Sequence, residues 1–335
     1  MKDKTSFLLD FEKFYNRNQC IACDSDIFDH LVYSGDFYNE DMSAMRHVFI
    51  CRNCGLAYTY PFLTEAEEKS LYEDYPAHHT YENCSNNKTR LNLKLIRNIE
   101  RLFESVFFKP NAVILRKVLS SFIFPRLFQC YPLFLTGNRR NLRFLDVGCG
   151  DGEFLMIAKK FNFVCYGIEC QQSLVQKLRK SGINAATNIA DFLPETNGED
   201  GCFDIIRFNH VLEHIKNPSE ILRVCNKLLK TNGELIIGIP NFKTFARIMG
   251  SSCWLHLPYH RQHFTKKSIT ELLKKCGFKV TYIKTRSIGI FAESLKRRFP
   301  FMRKIGLINV IDLIISPVID ALGYGDCIEV YAVRI

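Results

Sequence analysis

The sequence predicts an α/β protein in which helices cover a doubly wound sheet, with a small cysteine-rich domain in front of it. Two observations predict the sheet: from Asn141 onward, short apolar runs alternate with amphipathic helical patterns, and glycine-rich turns separate them. Two Cys-x-x-Cys pairs near the start predict the additional domain. We therefore expect a cysteine-rich domain at residues 1–80, a basic helical linker at 81–140 and the main domain at 141–335.

The bulk composition is that of a globular protein, with 47% apolar and 24% charged residues. The first ten residues carry charges on both sides of a short apolar run, which is not the pattern of a secretory signal. Fourteen cysteines without such a signal indicate a reducing compartment. We therefore expect a cytoplasmic protein.

The formal net charge of +10 is unevenly distributed. Residues 81–140 hold eleven lysines and arginines against three glutamates, and residues 284–304 hold seven against one. Both runs are interleaved with large apolar residues, which favours peripheral contact with the inner face of a membrane or with a phosphate-bearing acceptor. A solvated helix face is the alternative. Asp312 and Pro317 interrupt the most apolar stretch, so no bilayer span is predicted.

The cysteine pairs predict a structural zinc site. Each pair can place two thiolates on one tight turn, and a hairpin that includes Met45–Ile50 would fill the gap between the pairs. A redox pair or chance spacing is the alternative for either pair alone. With four protein ligands, the zinc would stabilise the fold and take no part in chemistry. The predicted ligands are Cys20, Cys23, Cys51 and Cys54.

Two stretches are predicted to be helical, one before the linker and one inside it. Leu63–Tyr75 contains Thr64 and Glu67 at capping-box spacing. Apolar residues along Lys88–Phe108 fit one long amphipathic helix, and prolines break the stretch that follows into short pieces.

A glycine-rich turn opens the main domain. An apolar strand leads into Gly148, Gly150 and Gly152, where backbone can approach a ligand closely, and a helix N-terminus behind the turn favours a negative group. The next strand, Phe163–Ile168, ends in Glu169, where a carboxylate can accept hydrogen bonds from ribose hydroxyls.

Six motifs in order make this region resemble class I S-adenosylmethionine-dependent methyltransferases. They are Asp146–Gly152, Gly167–Glu169, Phe203–Ile206, Val211–His214, Leu228–Gly233 and Ile239–Asn241. The resemblance implies a seven-stranded Rossmann-like methyltransferase sheet, with the methionine part of the cofactor at the glycines, its ribose at Glu169, and its adenine near Asp191 or a neighbour of Asp191. The predicted cofactor contacts are Asp146, Gly148, Gly150, Gly152, Glu169, Asp191 and Asn209.

The N-terminal region resembles the zinc-ribbon methyltransferases encoded among surface-polysaccharide and sugar-modification genes. Cys51–Tyr58, Pro61 and Leu71–Tyr75 carry this resemblance. It implies polysaccharide biosynthesis, with a sugar, nucleotide-sugar or lipid-linked glycan as acceptor and oxygen as the methylated atom in preference to carbon or nitrogen.

Three alternatives stay open. Basic charge and a zinc ribbon also suit an RNA methyltransferase, but the aromatic platform and motif of an RNA module are missing, which argues against nucleic acid. A quinone-type O-methyltransferase with a divalent metal is the second alternative. A noncatalytic binding protein is the third, against which the intact glycine turn and Glu169 argue.

Histidines are predicted on the acceptor side, because two histidine-rich segments follow the fourth and fifth strands. We favour His210, His214 or His263 as the general base or an acceptor contact. Glu213 and His214 packing structurally at a helix start is the alternative.

The same histidines raise the possibility of a second metal. His210, Glu213 and His214 have helical spacing that puts potential ligands on one face, with His260 or His263 able to complete a site. Small-RNA and ubiquinone-type O-methyltransferases resemble this region and use a divalent metal there, with a carboxylate where this chain has His210.

The final strands, Phe278–Lys284 and Cys327–Arg334, are predicted to be the antiparallel pair that closes the sheet. Residues 285–326 between them form a basic, apolar insertion that we expect near the acceptor site, as a cap, a membrane-docking element or a subunit contact. The sequence does not predict the oligomeric state.

Overall fold

The structure is a computed structural model that describes part of the chain. The described residues are 19–34, 45–64, 66–67, 141–160, 162–196, 201–248, 255–287, 295, 299, 301 and 308–335. The predicted helix over Lys88–Phe108 and the basic linker at 81–140 lie outside them. Among the described residues, no helix has the length and apolar character needed to cross a membrane.

The chain divides into two compact units. One unit comprises Met1–Phe62, Phe144–Gly148 and Asn188–Ile335, and the other comprises Leu63–Arg143 and Cys149–Thr187. The described cysteine-rich strands therefore share a unit with the C-terminal strands. The boundaries expected at residues 80 and 140 stay a prediction.

A four-stranded antiparallel sheet joins the N-terminal strands to one short strand from far along the chain. Its strands, in spatial order, are β1 (Phe28–Ser34), β2 (Met45–Cys51), β3 (Ala57–Tyr60) and β9 (Gln262–His263). The first two form the predicted hairpin. In the last pairing, Ala57 lies opposite His263 and Tyr58 lies opposite Gln262.

A seven-stranded sheet has the order β10-β11-β8-β7-β4-β5-β6. Its strands are β4 (Arg143–Val147), β5 (Val164–Ile168), β6 (Asn184–Ala186), β7 (Phe203–Asn209), β8 (Leu229–Pro240), β10 (Phe278–Arg286) and β11 (Cys327–Arg334). β7 runs parallel to β4 and β8, β5 runs parallel to β6, and β11 runs antiparallel to β8 and β10. The predicted α/β class, the doubly wound order and the antiparallel closing pair are confirmed.

The described helices connect these strands. They are α1 (Glu153–Lys160), α2 (Gln172–Lys180), α3 (Pro218–Leu228), α4 (Phe245–Ile248), α5 (Lys266–Lys275) and α6 (Ile308–Ala321), with a 3-10 helix at Ile189–Thr196. At the start of α5 the Thr265 side chain accepts a hydrogen bond from the Ser268 backbone N–H, and the Ser268 hydroxyl accepts one from the Thr265 N–H. Such a capping box satisfies two amides that the helix leaves unpaired. The predicted box at Thr64 is also present, because the Glu67 carboxylate accepts from the Thr64 N–H at 2.7 Å.

The middle of the large sheet is apolar on both faces, as expected where helices cover parallel strands. Phe144, Leu145, Ile206 and Phe208 are completely buried in β4 and β7. The insertion expected at 285–326 is described only in part, and it contains α6. Its proposed role near an acceptor stays a prediction.

Candidate functional site

The turn after β4 needs glycine for two reasons. Gly148 has a φ of +72°, in the left-handed region that favours glycine. A Cβ atom there would also lie 2.3 Å from Cγ2 of Val211. The loop can therefore follow its path only with glycine at this position.

Glu169, at the end of β5, is tied to the same turn. Its carboxylate accepts a hydrogen bond from the Gly150 N–H at 2.9 Å and another from the Gln171 N–H at 3.1 Å. The side chain is 8% exposed. A carboxylate has about four acceptor positions, so it can accept further hydrogen bonds while these two hold it in place.

Asp146, a predicted cofactor contact, is engaged inside the sheet. Both of its carboxylate oxygens accept hydrogen bonds from Nη1 of Arg207, at 3.0 and 2.9 Å. Burial raises the pKa of Asp146, and the Arg207 charge opposes that rise. The structure thus gives Asp146 a structural partner, and its role toward a cofactor stays a prediction.

The other two predicted cofactor residues belong to the unit that contains β7. Asp191 is exposed in the 3-10 helix, and Asn209 is half-buried as the last residue of β7. The structure places Asn209 at the carboxyl end of its strand, and its role toward a cofactor stays a prediction.

The four predicted zinc ligands come together at the start of the small sheet. The sulfurs of Cys20, Cys23, Cys51 and Cys54 all lie within 4.8 Å of one another. The Cys20–Cys54 pair is 3.4 Å apart, and the Cys23–Cys51 pair is 3.6 Å apart. Zinc bound tetrahedrally at about 2.3 Å from each sulfur separates the sulfurs by about 3.8 Å, so the cluster fits this ion.

A second group of potential ligands lies beyond β7. One ligand atom each from Glu213, His214 and His260 lies within 4.8 Å of the others. Glu213 is 1% exposed, and neither carboxylate oxygen has a hydrogen-bond partner among the described residues. A buried carboxylate is costly unless a donor or a cation faces it, and the described group that faces Oε1 of Glu213 as an ion-pair partner is Nδ1 of His210 at 3.5 Å.

The two histidines of this group are suited to binding a cation. The carbonyl oxygen of Tyr259 lies 3.0 Å from Nδ1 of His214 and can only accept, so Nδ1 carries a proton and Nε2 is the ring nitrogen that can bind a cation. Burial, together with neighbouring histidines, keeps the pKa of His260 well below its ordinary value. His260 is therefore neutral, and its Nδ1 has no hydrogen-bond partner among the described residues.

The other two predicted histidines have different surroundings. His210 has a φ of 55° and a side chain 39% exposed, with Nδ1 3.5 Å from Oε1 of Glu213 and Nε2 3.8 Å from Sγ of Cys327. His263 is 3% exposed, and its Nε2 lies 2.8 Å from Oγ1 of Thr59. Burial lowers the pKa of His263 to about 3, so its ring is neutral.

The structure therefore brings four of the five predicted acceptor-side residues together, with His210 3.5 Å from Glu213, and gives His263 different partners. His214 lies with Glu213 and His260, His210 lies beside that group, and His263 is held by a residue of the N-terminal sheet. Sequence reasoning missed Thr59, because a threonine in a β-strand carries no spacing signal that marks it as functional.

A doubly wound seven-stranded sheet, with a glycine turn after β4 and an acidic residue after β5, defines the class I methyltransferase fold. Residues 89–283, more than half of the chain, match the family model described as a methyltransferase domain. The chain belongs to this methyltransferase-domain family, as the sequence predicted.

Individual relatives cover smaller parts of the chain. An uncharacterized protein of Methanocaldococcus jannaschii is 30% identical over 139 residues, which are 41% of this chain and 64% of that protein. The ubiquinone biosynthesis O-methyltransferase of Pasteurella multocida is 32% identical over 120 residues, 32% of this chain and 48% of that enzyme. The chain thus spans about half to two thirds of the length of these curated relatives.

Solved structures are similar at lower identity. A SAM-dependent methyltransferase from Archaeoglobus fulgidus is 18% identical with a TM-score of 0.43, over 65% of this chain and 94% of that one. A methyltransferase from Mesorhizobium loti is 15% identical with a TM-score of 0.40, over 58% and 92%.

Proposed function

We propose that the protein is an S-adenosylmethionine-dependent methyltransferase that transfers a methyl group to an oxygen of a sugar, nucleotide-sugar or lipid-linked glycan. Family membership supports the reaction type. The acceptor class follows from the resemblance of the cysteine-rich region to zinc-ribbon methyltransferases.

The observation that carries the donor half is the contact between Glu169 and the glycine turn. The Gly150 N–H and the Gln171 N–H hold the carboxylate before any ligand arrives. A carboxylate fixed in this way binds two ribose hydroxyls without losing side-chain freedom at the moment of binding. S-adenosylmethionine supplies the methyl group when bound, and the residues of this chain orient it.

Calorimetry with S-adenosylmethionine tests the donor half directly. We expect one binding site per folded, zinc-loaded chain, with S-adenosylhomocysteine competing for the same site. A folded sample that binds neither compound would refute the proposal and would favour a noncatalytic protein with a degenerate fold.

Glu213, His214 and His260 carry a second candidate function, O-methyl transfer assisted by a divalent metal. The buried Glu213 carboxylate and the imidazoles of His214 and His260 form a donor set suited to a divalent cation. A cation bound there would lower the pKa of an acceptor hydroxyl. Similarity to a ubiquinone biosynthesis O-methyltransferase makes a quinone-type hydroxyl the second acceptor class.

Metal binding can be measured without knowing the acceptor. We expect zinc-loaded protein to bind Mn²⁺, detected by electron paramagnetic resonance, and Glu213→Gln to weaken the binding at least about tenfold because it removes the carboxylate charge from the group of Glu213, His214 and His260. Glu220→Gln, an exposed change a few residues away, is the matched control. Equal Mn²⁺ affinity in both variants would remove Glu213 from the site.

An acceptor assay separates the two classes. Purified protein is incubated with methyl-labelled S-adenosylmethionine and, in parallel, with nucleotide-sugars, lipid-linked glycan precursors and a catechol-bearing quinone precursor. Label in the glycan compounds supports the first proposal. Label in the quinone precursor alone supports the second proposal if a chelator that removes the divalent metal abolishes the labelling and added Mn²⁺ restores it.

A further inference from the structure

Thr59, in the middle of β3, connects the cysteine-rich sheet to the histidine-rich segment. Its Oγ1 lies 2.8 Å from the carbonyl oxygen of His260 and 2.8 Å from Nε2 of His263. Its backbone N–H donates to the carbonyl of Arg261 at 3.0 Å. Thr59 is 2% exposed, so water cannot replace these partners readily.

The hydroxyl of Thr59 has one proton for two neighbours. A carbonyl oxygen cannot donate, so the short contact with His260 is a hydrogen bond only if Thr59 donates to it. Nε2 of His263 must then donate to Oγ1, because an unprotonated Nε2 would leave the second 2.8 Å contact without a hydrogen. The contacts therefore select the neutral Nε2–H form of His263, in agreement with the lowered pKa of its ring.

Two of the four clustered cysteines lie just before the strand that carries Thr59. Cys51 ends β2, and Cys54 and Gly55 lead into β3. The Cys54 carbonyl accepts a hydrogen bond from Oγ1 of Thr265 at 2.8 Å, at the start of α5. The segment that carries His260 and His263 is thus attached at two points: Thr59 of β3 contacts both histidines, and Thr265 donates to the Cys54 carbonyl.

An apolar core reinforces this attachment. Val48 and Ala57 of the N-terminal strands pack with Phe242, Leu255 and Leu257, each 3% exposed or less. At the far side of the segment, the Arg261 and Gln262 N–H groups donate to the Glu213 carbonyl at 3.0 and 3.2 Å. A shift of the cysteine-rich sheet would therefore be transmitted to the histidines and to Glu213.

We propose that Thr59 is a positioning residue for the acceptor-side cluster, and that the cysteine-rich sheet acts through it to hold His263 as the Nε2–H tautomer and His260 beside Glu213. The expected effect of Thr59 on kcat rests on the proposed function, whereas the predicted tautomer of His263 does not. In this arrangement Nδ1 of His263 is the unprotonated nitrogen, so it can accept a hydrogen bond.

The test uses zinc-loaded, full-length protein labelled with ¹⁵N-histidine. Long-range proton–nitrogen correlation distinguishes the two neutral tautomers, and His263→Gln identifies the His263 signals. We expect wild-type protein and Thr59→Ser, which keeps the hydroxyl, to show the Nε2–H form. Thr59→Val removes the hydroxyl and is expected to shift His263 to a mixture or to the Nδ1–H form, while Thr270→Val, a matched change on α5, leaves it unaltered.

Activity provides the second readout. With S-adenosylmethionine saturating, Thr59→Val is expected to lower kcat at least about tenfold with little change in the cofactor KM, and Thr59→Ser is expected to restore most of it. The Nδ1–H form in wild-type protein, or an unchanged tautomer in folded Thr59→Val, overturns the proposal. If Thr59→Val does not fold, the wild-type and Thr59→Ser tautomers decide.

The two proposals fail separately. Protein that transfers no methyl group but shows the Nε2–H tautomer and its loss in Thr59→Val supports the positioning role and contradicts the proposed reaction. Active protein in which Thr59→Val alters neither the tautomer nor kcat contradicts the positioning role alone.

Discussion

Glu169 and Glu213 are both buried carboxylates, but their surroundings differ. Glu169 accepts two backbone N–H groups, whereas neither oxygen of Glu213 has a hydrogen-bond partner among the described residues. An ionised carboxylate needs donors or a cation when it leaves water, and Glu213 has Nδ1 of His210 3.5 Å from its Oε1. The proposals above therefore assign a neutral hydroxyl-bearing ligand to Glu169 and a positive ligand to Glu213.

Glu169→Ala tests the first of these residues. We expect the dissociation constant of S-adenosylmethionine to rise at least about tenfold, because the variant loses the ribose acceptor and the anchor of the Gly150 N–H. Calorimetry measures the change, with Glu220→Ala, at an exposed position of α3, as the control. An unchanged constant would remove Glu169 from the ribose role.

The buried pair of Asp146 and Arg207 leads to a stability prediction. Arg207→Leu leaves the Asp146 carboxylate without its partner inside the sheet, and we expect the free energy of unfolding to fall by about 3–5 kcal/mol. Lys230→Met breaks the more exposed pair with Asp204 and should cost at most about 1 kcal/mol. Urea titrations of both variants provide the comparison, and equal losses would contradict it.

Sequence reasoning identified residues whose chemistry has a spacing signature. Glu169 follows a strand and a glycine turn, and the cysteines occur in pairs, so both could be found without coordinates. Thr59 could not be found, because its partner His263 is 204 positions away and nothing local distinguishes one strand threonine from another. The Arg207 partner of Asp146 was missed for the same reason.

At the level of elements, hydrogen bonds connect the two cysteine turns to β3. The Tyr58 hydroxyl accepts from the Ile21 N–H at 3.0 Å and donates to Sγ of Cys20 at 3.7 Å, which links the first turn to the strand. The hydrogen bond between Cys54 and Cys20 lowers the pKa of the Cys20 thiol to about 5. The same contact raises the pKa of the Cys54 thiol, so the pair shares one proton, and zinc binding requires that the remaining thiol protons leave.

Elemental analysis tests the zinc site. We expect one zinc per chain in wild-type protein and in Cys170→Ser, an exposed cysteine outside the cluster. Cys20→Ser combined with Cys54→Ser should lose the metal, because two ligands cannot hold zinc against water. Stoichiometric zinc in the double variant would refute the assignment.

The elements of the large sheet were predictable because their signals are local. Apolar runs followed by glycine, or by an acidic residue, marked β4 and β5, and the boundaries were accurate to within a residue or two. The pairing of β3 with β9 was not predictable. A strand of two residues has no period to detect, and its existence depends on contacts made elsewhere in the fold.

For the molecule as a whole, the buried neutral histidines predict sensitivity to acid. His263 stays unprotonated in the folded state down to a pH of about 3, whereas in the unfolded chain it takes up a proton near its ordinary pKa of 6.5. The unfolded state therefore binds more protons between these pH values. The contribution of His263 to the free energy of unfolding is fully present above pH 6.5 and is lost as the pH is lowered toward 3.

The expected slope is about 1.4 kcal/mol per pH unit for one fully buried histidine, reached below about pH 6. His263→Gln keeps a side-chain donor and does not titrate, so its free energy of unfolding should fall less steeply than that of wild-type protein between pH 6.5 and 5. Urea titrations at several pH values give both slopes, and parallel curves would show that His263 is not the group responsible.

The short pairing of β3 with β9 also affects how the chain is made. Cys20 and Cys54 are 34 positions apart and can meet early, but the partner of Thr59 is synthesised 204 positions later. At about 5–20 residues per second, the open edge of β3 waits roughly 10–40 s on the ribosome. An unpaired strand edge is a template for pairing with another chain, so a chain interrupted before residue 262 is expected to aggregate even when its cysteine turns are correctly formed.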